Sequence, residues 1–570
     1  LPRELQVPQT SLWCNLEVSA RRFPDKAAYR FFGADVSFGR LHEEALALAG
    51  WLQARGVAAG DRVIVFMQNC PQFACACYAI WRANAVVVPV NPMNREEELR
   101  HCIQDSGARV LVAAADAWSV VAAANAGMDP QRALRHVLLA RYAQALPADG
   151  VPDEEAASPA VMAWLHTPWP EQASVDAASA DAKVSRWDEA LALGLRPGLH
   201  TAGPGDLALL PYTSGTTGMP KGCMHPHRSL MHNVCGGAQW GHAGPESVSL
   251  AVVPMFHITG FVYSVLTCVY AASTAVVLPR WDRELAGRLI SQHRVTHWTC
   301  IPTMVIDLFA SPSYRSFDLS SLRYLSGGGA AMPAAVAQRL KDEFGLVFAE
   351  GYGLTETAAP SHANPPERAK LQCLGMPIFG VDSRVVDPLT LSEVPTGESG
   401  EIITHGPMVF DGYWQHPKAN QEAFIELDGK RFFRTGDMGR IDEEGYFFMT
   451  DRLKRMINAS GFKVWPSEVE LLLYQCPLVQ EACVIAARDA YRGETVKALV
   501  VLRESARASA GAEDIIAWAR EHMAAYKVPR LVQFVPSLPK SGSGKVMWRL
   551  LQEQELAAHG GSGRGAATAA

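Results

Sequence analysis

The eleven residues Tyr212-Thr213-Ser214-Gly215-Thr216-Thr217-Gly218-Met219-Pro220-Lys221-Gly222 gather four small hydroxyl side chains, three glycines and a lysine. Glycines expose backbone N–H groups and tolerate φ > 0, hydroxyls donate to anionic oxygens, and a lysine neutralises charge as a leaving group departs. The chemistry this suits is a grip on phosphate. A polar Gly-rich stretch can also be a plain surface loop. A Walker-type loop fits poorly, because it ends in Gly-Lys-Ser/Thr where this chain reads Pro220-Lys221-Gly222.

Four further groups lie downstream. Gly351-Tyr352-Gly353-Leu354-Thr355-Glu356 follows the apolar Leu346-Val347-Phe348, then come Thr435-Gly436-Asp437, Arg452, and Lys545 at the end of Pro539-Lys540-Ser541-Gly542-Ser543-Gly544-Lys545. With the hydroxyl-rich run, these five in this order resemble the signature of the adenylate-forming (AMP-binding) superfamily. Its members include acyl-CoA synthetases, luciferases and the adenylation domains of peptide synthetases, and the likeness covers most of the chain.

The resemblance implies a reaction. A carboxylic acid is a poor acyl donor because oxide is a poor leaving group; joined to the α-phosphate of ATP it becomes an acyl-adenylate with AMP to expel. By resemblance, Thr213, Ser214, Gly215, Thr216, Thr217, Gly218 and Lys221 hold the departing pyrophosphate, Thr355 contacts phosphate and Glu356 is a ligand of Mg2+, the ion that bridges the phosphates as charge builds on them. Tyr352, with Gly353, matches the adenine-stacking position. Gly327-Gly328-Gly329 and Ala330 match an adenine and acyl wall where a side chain would block ligand approach. Asp437 matches the carboxylate that accepts both ribose hydroxyls. Lys545 matches the catalytic lysine, a cation that offsets repulsion between the attacking carboxylate and the α-phosphate. Arg452 and Lys454 match a hinge about which a C-terminal domain turns. Ser460-Gly461-Phe462-Lys463 matches a loop in which Gly461 leaves room for the pantetheine arm of coenzyme A, the expected acceptor.

The resemblance also bears on which acid is activated. Amino-acid-activating relatives place Asp after the aromatic of Pro254-Met255-Phe256-His257, and a histidine cannot supply that fixed negative charge to a substrate ammonium. Acyl and aryl acid ligases are favoured, with a positional role for His257 against the carboxylate or the pocket mouth. Phe261-Val262-Tyr263-Ser264-Val265-Leu266 is expected to line the acyl pocket. Val88-Pro89-Val90-Asn91-Pro92 resembles fatty acyl-CoA synthetases more than aryl ligases, so a medium- or long-chain fatty acid is the first reading. An aryl acid, a free-standing ligase loading a carrier protein, and an adenylate-binding sensor without activity stay open.

These groups need a large scaffold. A chain of 570 residues exceeds one hydrophobic core, and 48% apolar residues suffice for at least two. With 52 basic and 58 acidic side chains the net charge is −6, and no dense basic stripe offers a nucleic-acid surface. The twelve cysteines lack paired spacing. Cys75 and Cys77 point to different faces of a helix, so reduced core thiols of a cytoplasmic protein are expected. Leu1 to Thr10 shows no leader of signal type. Residues 258–278 carry no charge, yet Gly260, three threonines and two serines mark a buried helix followed by a strand rather than a membrane span. Peripheral membrane contact stays open, and no feature of the sequence specifies an oligomeric state.

Helical and strand patterns alternate: Leu41 to Arg55 closed by Gly56, then strands at Val63–Phe66, Ala85–Val90 and Val110–Val112. This predicts an α/β class, with a large N-terminal domain of mostly parallel sheets flanked by helices. Residues 149–199, rich in Ala, Pro, Asp and Glu, read as a surface excursion. After Arg452 the pattern predicts a small mobile α+β domain, with a helix near Pro466, strands at Ala482–Ala486, Val496–Leu502 and Leu531–Val535, and a helix from Glu513 to Ala525. The expected divisions are 1–451, 452–556 and a disordered tail, 557–570.

Overall fold

The computed structural model describes residues 5–172, 175, 182–213, 219–329, 332–452, 455–459, 462–464, 466–489, 493–507, 509–540 and 546–560. The chain forms two compact units, Leu1–Asp382 with Thr404–Phe433 and Ser383–Ile403 with Arg434–Ala570.

Two large sheets build the first unit. In one, the strands Leu207–Leu209, Val86–Pro89, Arg62–Phe66, Val110–Ala114, His136–Ala140 and Lys183–Arg186 run parallel in that order. Lys221–Pro226 adds to Leu207–Leu209 antiparallel. In the other, Ala27–Phe31, Thr274–Val277, Val248–Ala251, His297–Cys300, Tyr324–Gly327 and Phe348–Leu354 run parallel. Val63 to Phe66 are wholly buried, as strands covered on both faces must be, which is why they read as continuous apolar runs. The helix Pro71–Arg82 is buried from Pro71 to Trp81, so it is a core element apolar all round. Cys75 and Cys77 lie within it as free thiols whose pKa burial pushes well up, in keeping with inert core cysteines.

The expected helix spans Phe38–Ala54, opened by the Ser37 side chain accepting from the N–H of Arg40 and followed by Gly56 at φ 83°. Residues 258–270 are helical, in part as a wider π-helical stretch Phe261–Thr267, and the strand Thr274–Val277 follows as predicted. Among the described residues no helix is long and apolar enough to cross a membrane.

The excursion at 149–199 is more ordered than its composition suggests. Its described part holds the helix Pro159–Leu165, the edge strand Lys183–Arg186 and the helix Trp187–Ala192. Single residues such as Leu165 and Trp187, 0% and 3% exposed, dock on an existing core, so no period forms that a sequence could display.

In the second unit, Phe447–Arg452 pairs with the strand segment from Asp437 to Ile441. A long hairpin, Val479–Asp489 with Gly493–Leu502, receives Leu531–Phe534 in parallel. The helices Pro466–Leu473, Ala512–His522 and Trp548–Gly560 complete it. The last helix runs past 556, where a disordered tail was expected to begin; helix-forming Leu-Ala-Ala extends it. Residues 561–570 lie outside the described residues. The unit also takes in residues 383–403 and 434–451, ahead of the expected boundary at 452.

Candidate active site

Thr213 and Lys221 pair across an antiparallel ladder, as do Tyr212 and Gly222. The two ends of the hydroxyl-rich run are therefore held together by backbone hydrogen bonds; Ser214, Gly215, Thr216, Thr217 and Gly218 lie outside the described residues. Tyr212 donates its hydroxyl to Asp105 Oδ2 at 2.7 Å, fixing the strand from the other side.

The strand of Lys221 also pairs with Gly412–Tyr413, with Cys223 opposite Tyr413. Tyr413 then touches both charges of the site. Its ring lies 5.2 Å from Lys221 Nζ, and its hydroxyl donates to Glu356 Oε1 at 2.8 Å. Burial and the Glu356 carboxylate push the Tyr413 hydroxyl far above its ordinary pKa, so it stays a donor. Sequence reasoning passed over Tyr413; its only signal is an aromatic after Gly412, a glycine at φ 146° between two motifs.

Glu356 is 8% exposed and sits in the short turn Thr355–Thr357. Three groups hold that turn. His225, buried and pushed down to about 4, is neutral, and its Nε2–H donates to the carbonyl of Thr355 at 2.7 Å. Phe410 N–H donates to the carbonyl of Glu356 at 2.9 Å. Asn233 Nδ2 donates to the carbonyls of Thr357, Ala358 and Pro360 at 3.0, 2.7 and 3.0 Å. Ala358 and Ala359 both have positive φ, 51° and 76°, a strained pair that the Asn233 amide holds in place.

Tyr352 is 7% exposed, with His362 opposite it across the ladder and the two rings 5.6 Å apart. A Cβ on Gly353 would fall 1.6 Å from the Ala359 carbonyl oxygen; on Gly327 and Gly328 it would fall 1.8 Å from Cys300 O and 2.3 Å from Gly351 O. These glycines thus have a reason beyond ligand access, since neighbouring backbones would collide with any side chain. Gly329 has φ 85°, and Ala330 lies outside the described residues. Behind this wall Glu350, 6% exposed, accepts from Met332 N–H at 3.2 Å and Gln372 N–H at 3.1 Å. Burial pushes its carboxyl up to about 7.

His257 is exposed and opens the helical segment, its Nδ1 accepting from Thr259 N–H at 3.4 Å. The turn before it is fixed by Asn69, 1% exposed, which accepts from Met255 N–H at 2.7 Å and donates to the carbonyls of Val253 and Leu278, each at 3.1 Å. Asn69 follows the central strand of one sheet and binds segments that leave two strands of the other. It joins the sheets where open α/β sheets place ligands, at the carboxyl ends of their strands.

In the second unit Asp437 is 2% exposed and pairs with Arg452 in register. Thr435 Oγ1 accepts from the Asp437 N–H at 3.1 Å, and buried Glu401 accepts from Gly436 N–H and pairs with Arg434 at 2.6 Å. Lys540 pairs with Val546 across a single bridge, on either side of residues 541–545. Lys454, Gly461 and Lys545 lie outside the described residues.

Among the described residues no cluster of three or more His, Cys, Asp or Glu could cage a metal. A single buried carboxylate on a fixed turn suits Mg2+, which keeps waters and takes other oxygens from phosphate. Tyr413 thus brings Lys221 and Glu356 together at the end of the hydroxyl-rich run, an arrangement that suits the nucleotide chemistry of the adenylate-forming class.

Comparison with known proteins agrees. Residues 16–414 match the AMP-binding enzyme family and residues 468–545 its C-terminal domain. A long-chain-fatty-acid–CoA ligase of Bacillus subtilis is 34% identical over 98% of this chain and 97% of its own. A feruloyl-CoA synthase of Amycolatopsis sp is 35% identical over 93% of this chain and 96% of its own. ATP-bound MatB from Rhodopseudomonas palustris superposes with a TM-score of 0.77 at 27% identity, over 96% of this chain and 99% of that one. The chain belongs to the AMP-binding enzyme family, and it is an AMP-forming acid–thiol ligase using ATP, Mg2+ and coenzyme A.

Proposed function

We propose that this enzyme activates a medium- or long-chain fatty acid as its acyl-adenylate and transfers the acyl group to coenzyme A. The adenylating step is supported by the contacts of Tyr413 with both Lys221 and Glu356, which gather a cation and an anion around one side chain at the end of the hydroxyl-rich run; the choice of a fatty acid is supported by the long-chain-fatty-acid–CoA ligase relative. Lys221 would neutralise the pyrophosphate oxygens that gain charge, and Glu356 would hold a magnesium ion that supplies further positive charge there. Tyr352 and Asp437 bind adenine and ribose, and His257 orients the acid. Lys545 brings its charge to the attacking carboxylate; rotation about Arg452–Lys454 then withdraws it and brings in the loop of Gly461 for the thiol. An aryl acid is the second reading, favoured by the feruloyl-CoA synthase relative.

Two measurements test this. Acids of graded chain length, with benzoates and cinnamates, are scored by AMP release in the presence of ATP, Mg2+ and coenzyme A. Flat rates across chain length count against the fatty-acid reading, and silence in pyrophosphate exchange with every acid leaves only a nucleotide-binding sensor. Lys545→Ala is expected to abolish adenylate formation while thioester formation from supplied acyl-adenylate survives; equal loss of both refutes the role given to Lys545.

A further inference from the structure

The helix Glu96–Ser106 follows the strand Val86–Pro89, which lies beside Leu207–Leu209, the strand that feeds the hydroxyl-rich run. Leu99, Cys102 and Ile103 of this helix are buried, and Tyr212 and Trp414 pack against the same apolar cluster. His101 and Asp105 are half-buried and four residues apart, so they share another face of the helix.

Each of the two holds one stem of the run. His101 Nε2 lies 2.8 Å from the carbonyl oxygen of Pro220. A carbonyl only accepts, so Nε2 carries a proton whether the ring is neutral or charged. Asp105 Oδ2 accepts from the hydroxyl of Tyr212 at 2.7 Å. Burial and this carboxylate raise the Tyr212 pKa, so the hydroxyl keeps its proton. The rings of His101 and Tyr212 meet edge to face with their centroids 6.0 Å apart. Tyr212 and Pro220 stand immediately before Thr213 and Lys221, the pair that closes the run across the ladder.

A third tie runs through Trp414. Its Nε1–H donates to the carbonyl of Asp105 at 3.1 Å, and its backbone N–H donates to the carbonyl of Gly222 at 2.8 Å. Arg62 lies over the Trp414 ring at 5.4 Å and donates through Nε to the carbonyl of Ser106 at 2.7 Å, which fixes the last turn of the helix. The helix therefore reaches Pro220 directly and Gly222 through Trp414, the residues on either side of Lys221.

A lysine on a chain free to move meets a ligand oxygen only after that freedom is lost, and the loss subtracts from binding. Stems held in advance remove that cost. We infer that His101 and Asp105 are positioning residues for ATP: they form a clasp on both stems of the hydroxyl-rich run and so set Lys221 for the pyrophosphate end of the nucleotide. The inference rests on the reading of Lys221 as a phosphate-binding residue, and the clasp acts through Lys221 without touching the nucleotide itself.

Calorimetric titration of the full-length enzyme with ATP in the presence of Mg2+ and, separately, with AMP tests this, because AMP lacks the two phosphates the clasp serves. His101→Ala and Tyr212→Phe are each expected to weaken ATP about tenfold, the worth of one good hydrogen bond, and to leave AMP within about twofold. Lys221→Ala is the reference and is expected to weaken ATP at least as much. His101→Gln, which keeps an N–H donor at the end of its side chain, is expected to restore most of the ATP affinity lost in His101→Ala. Melting temperatures are taken for every variant; Tyr212→Phe keeps its ring in the apolar cluster and carries the test should His101→Ala not fold. Equal weakening of ATP and AMP, ATP binding unchanged in His101→Ala and Tyr212→Phe, or His101→Gln as weak as His101→Ala overturns the clasp while leaving the phosphate reading intact. Lys221→Ala that binds ATP as tightly as the wild type overturns the phosphate reading and the clasp with it.

Discussion

Tyr413 touches the anion and the cation of the proposed phosphate site through different parts of one side chain, which makes their roles separable. Tyr413→Phe keeps the ring over Lys221 and removes only the bond to Glu356. A hydrogen bond to a charged group contributes about 1.5–3 kcal/mol. The expected result is a roughly tenfold higher Mg2+ requirement in pyrophosphate exchange, with the melting temperature little changed. Glu350 offers a second test at this scale. Its carboxyl is pushed up to about 7 from an ordinary 4.5, so between those values the fold keeps a proton that the unfolded chain has released. Stability attributable to Glu350 is therefore greatest at low pH, falls as pH rises through this window, and is flat above it, a loss of at most about 3 kcal/mol. Glu350→Gln lacks this titration. Melting temperatures of the two proteins compared across the window should diverge, with the wild type losing ground as pH rises; parallel curves would refute the account.

Two side-chain amides govern elements in a way that no motif announces. Asn233 satisfies three carbonyls of the strained turn behind Glu356, and Asn69 spans the two sheets. Asn69→Ala leaves Met255 N–H and two carbonyls without this partner in a buried place. It is expected to cost about 2–4 kcal/mol in urea unfolding, and to lower kcat as the turn before His257 loosens. A loss below about 0.5 kcal/mol, the scale of surface substitutions, would show that the sheets do not depend on it. At this scale the sequence was informative where patterns were long. The strands at Val63 and Val110 and the helix from Leu41 were legible because two-sided burial and helical periodicity repeat over several residues. The helices and edge strand within 149–199 were not, because each docks through one or two residues.

For the molecule as a whole, the proposed reaction needs two arrangements of the chain around one acid. A proline fixes φ and removes an N–H, so Lys454→Pro is expected to block the change between them. Adenylate formation measured by pyrophosphate exchange should persist within a few-fold, while thioester formation falls by orders of magnitude. Equal impairment of both half-reactions would place the pivot elsewhere. The division into compact units differs from the boundary proposed at 452, because residues 383–403 and 434–451 join the C-terminal hairpin and helices in one contact-rich body.

The chemistry was written in the chain order of its reactive groups. A hydroxyl-rich run, a Tyr-Gly-Leu-Thr-Glu box and an Asp after Thr-Gly are legible as local strings, because the residues proposed to act together on a ligand lie close along the chain. What the string could not state was which distant side chains stand behind them. Tyr413 meets Glu356 only because a strand pairing places Gly412–Tyr413 beside Lys221–Pro226, and Gly237 meets Tyr263 only because a helix crosses a π-helical stretch. Contacts across such separations have no period and no fixed spacing, so they exist only once the sheets have formed and the helices have packed.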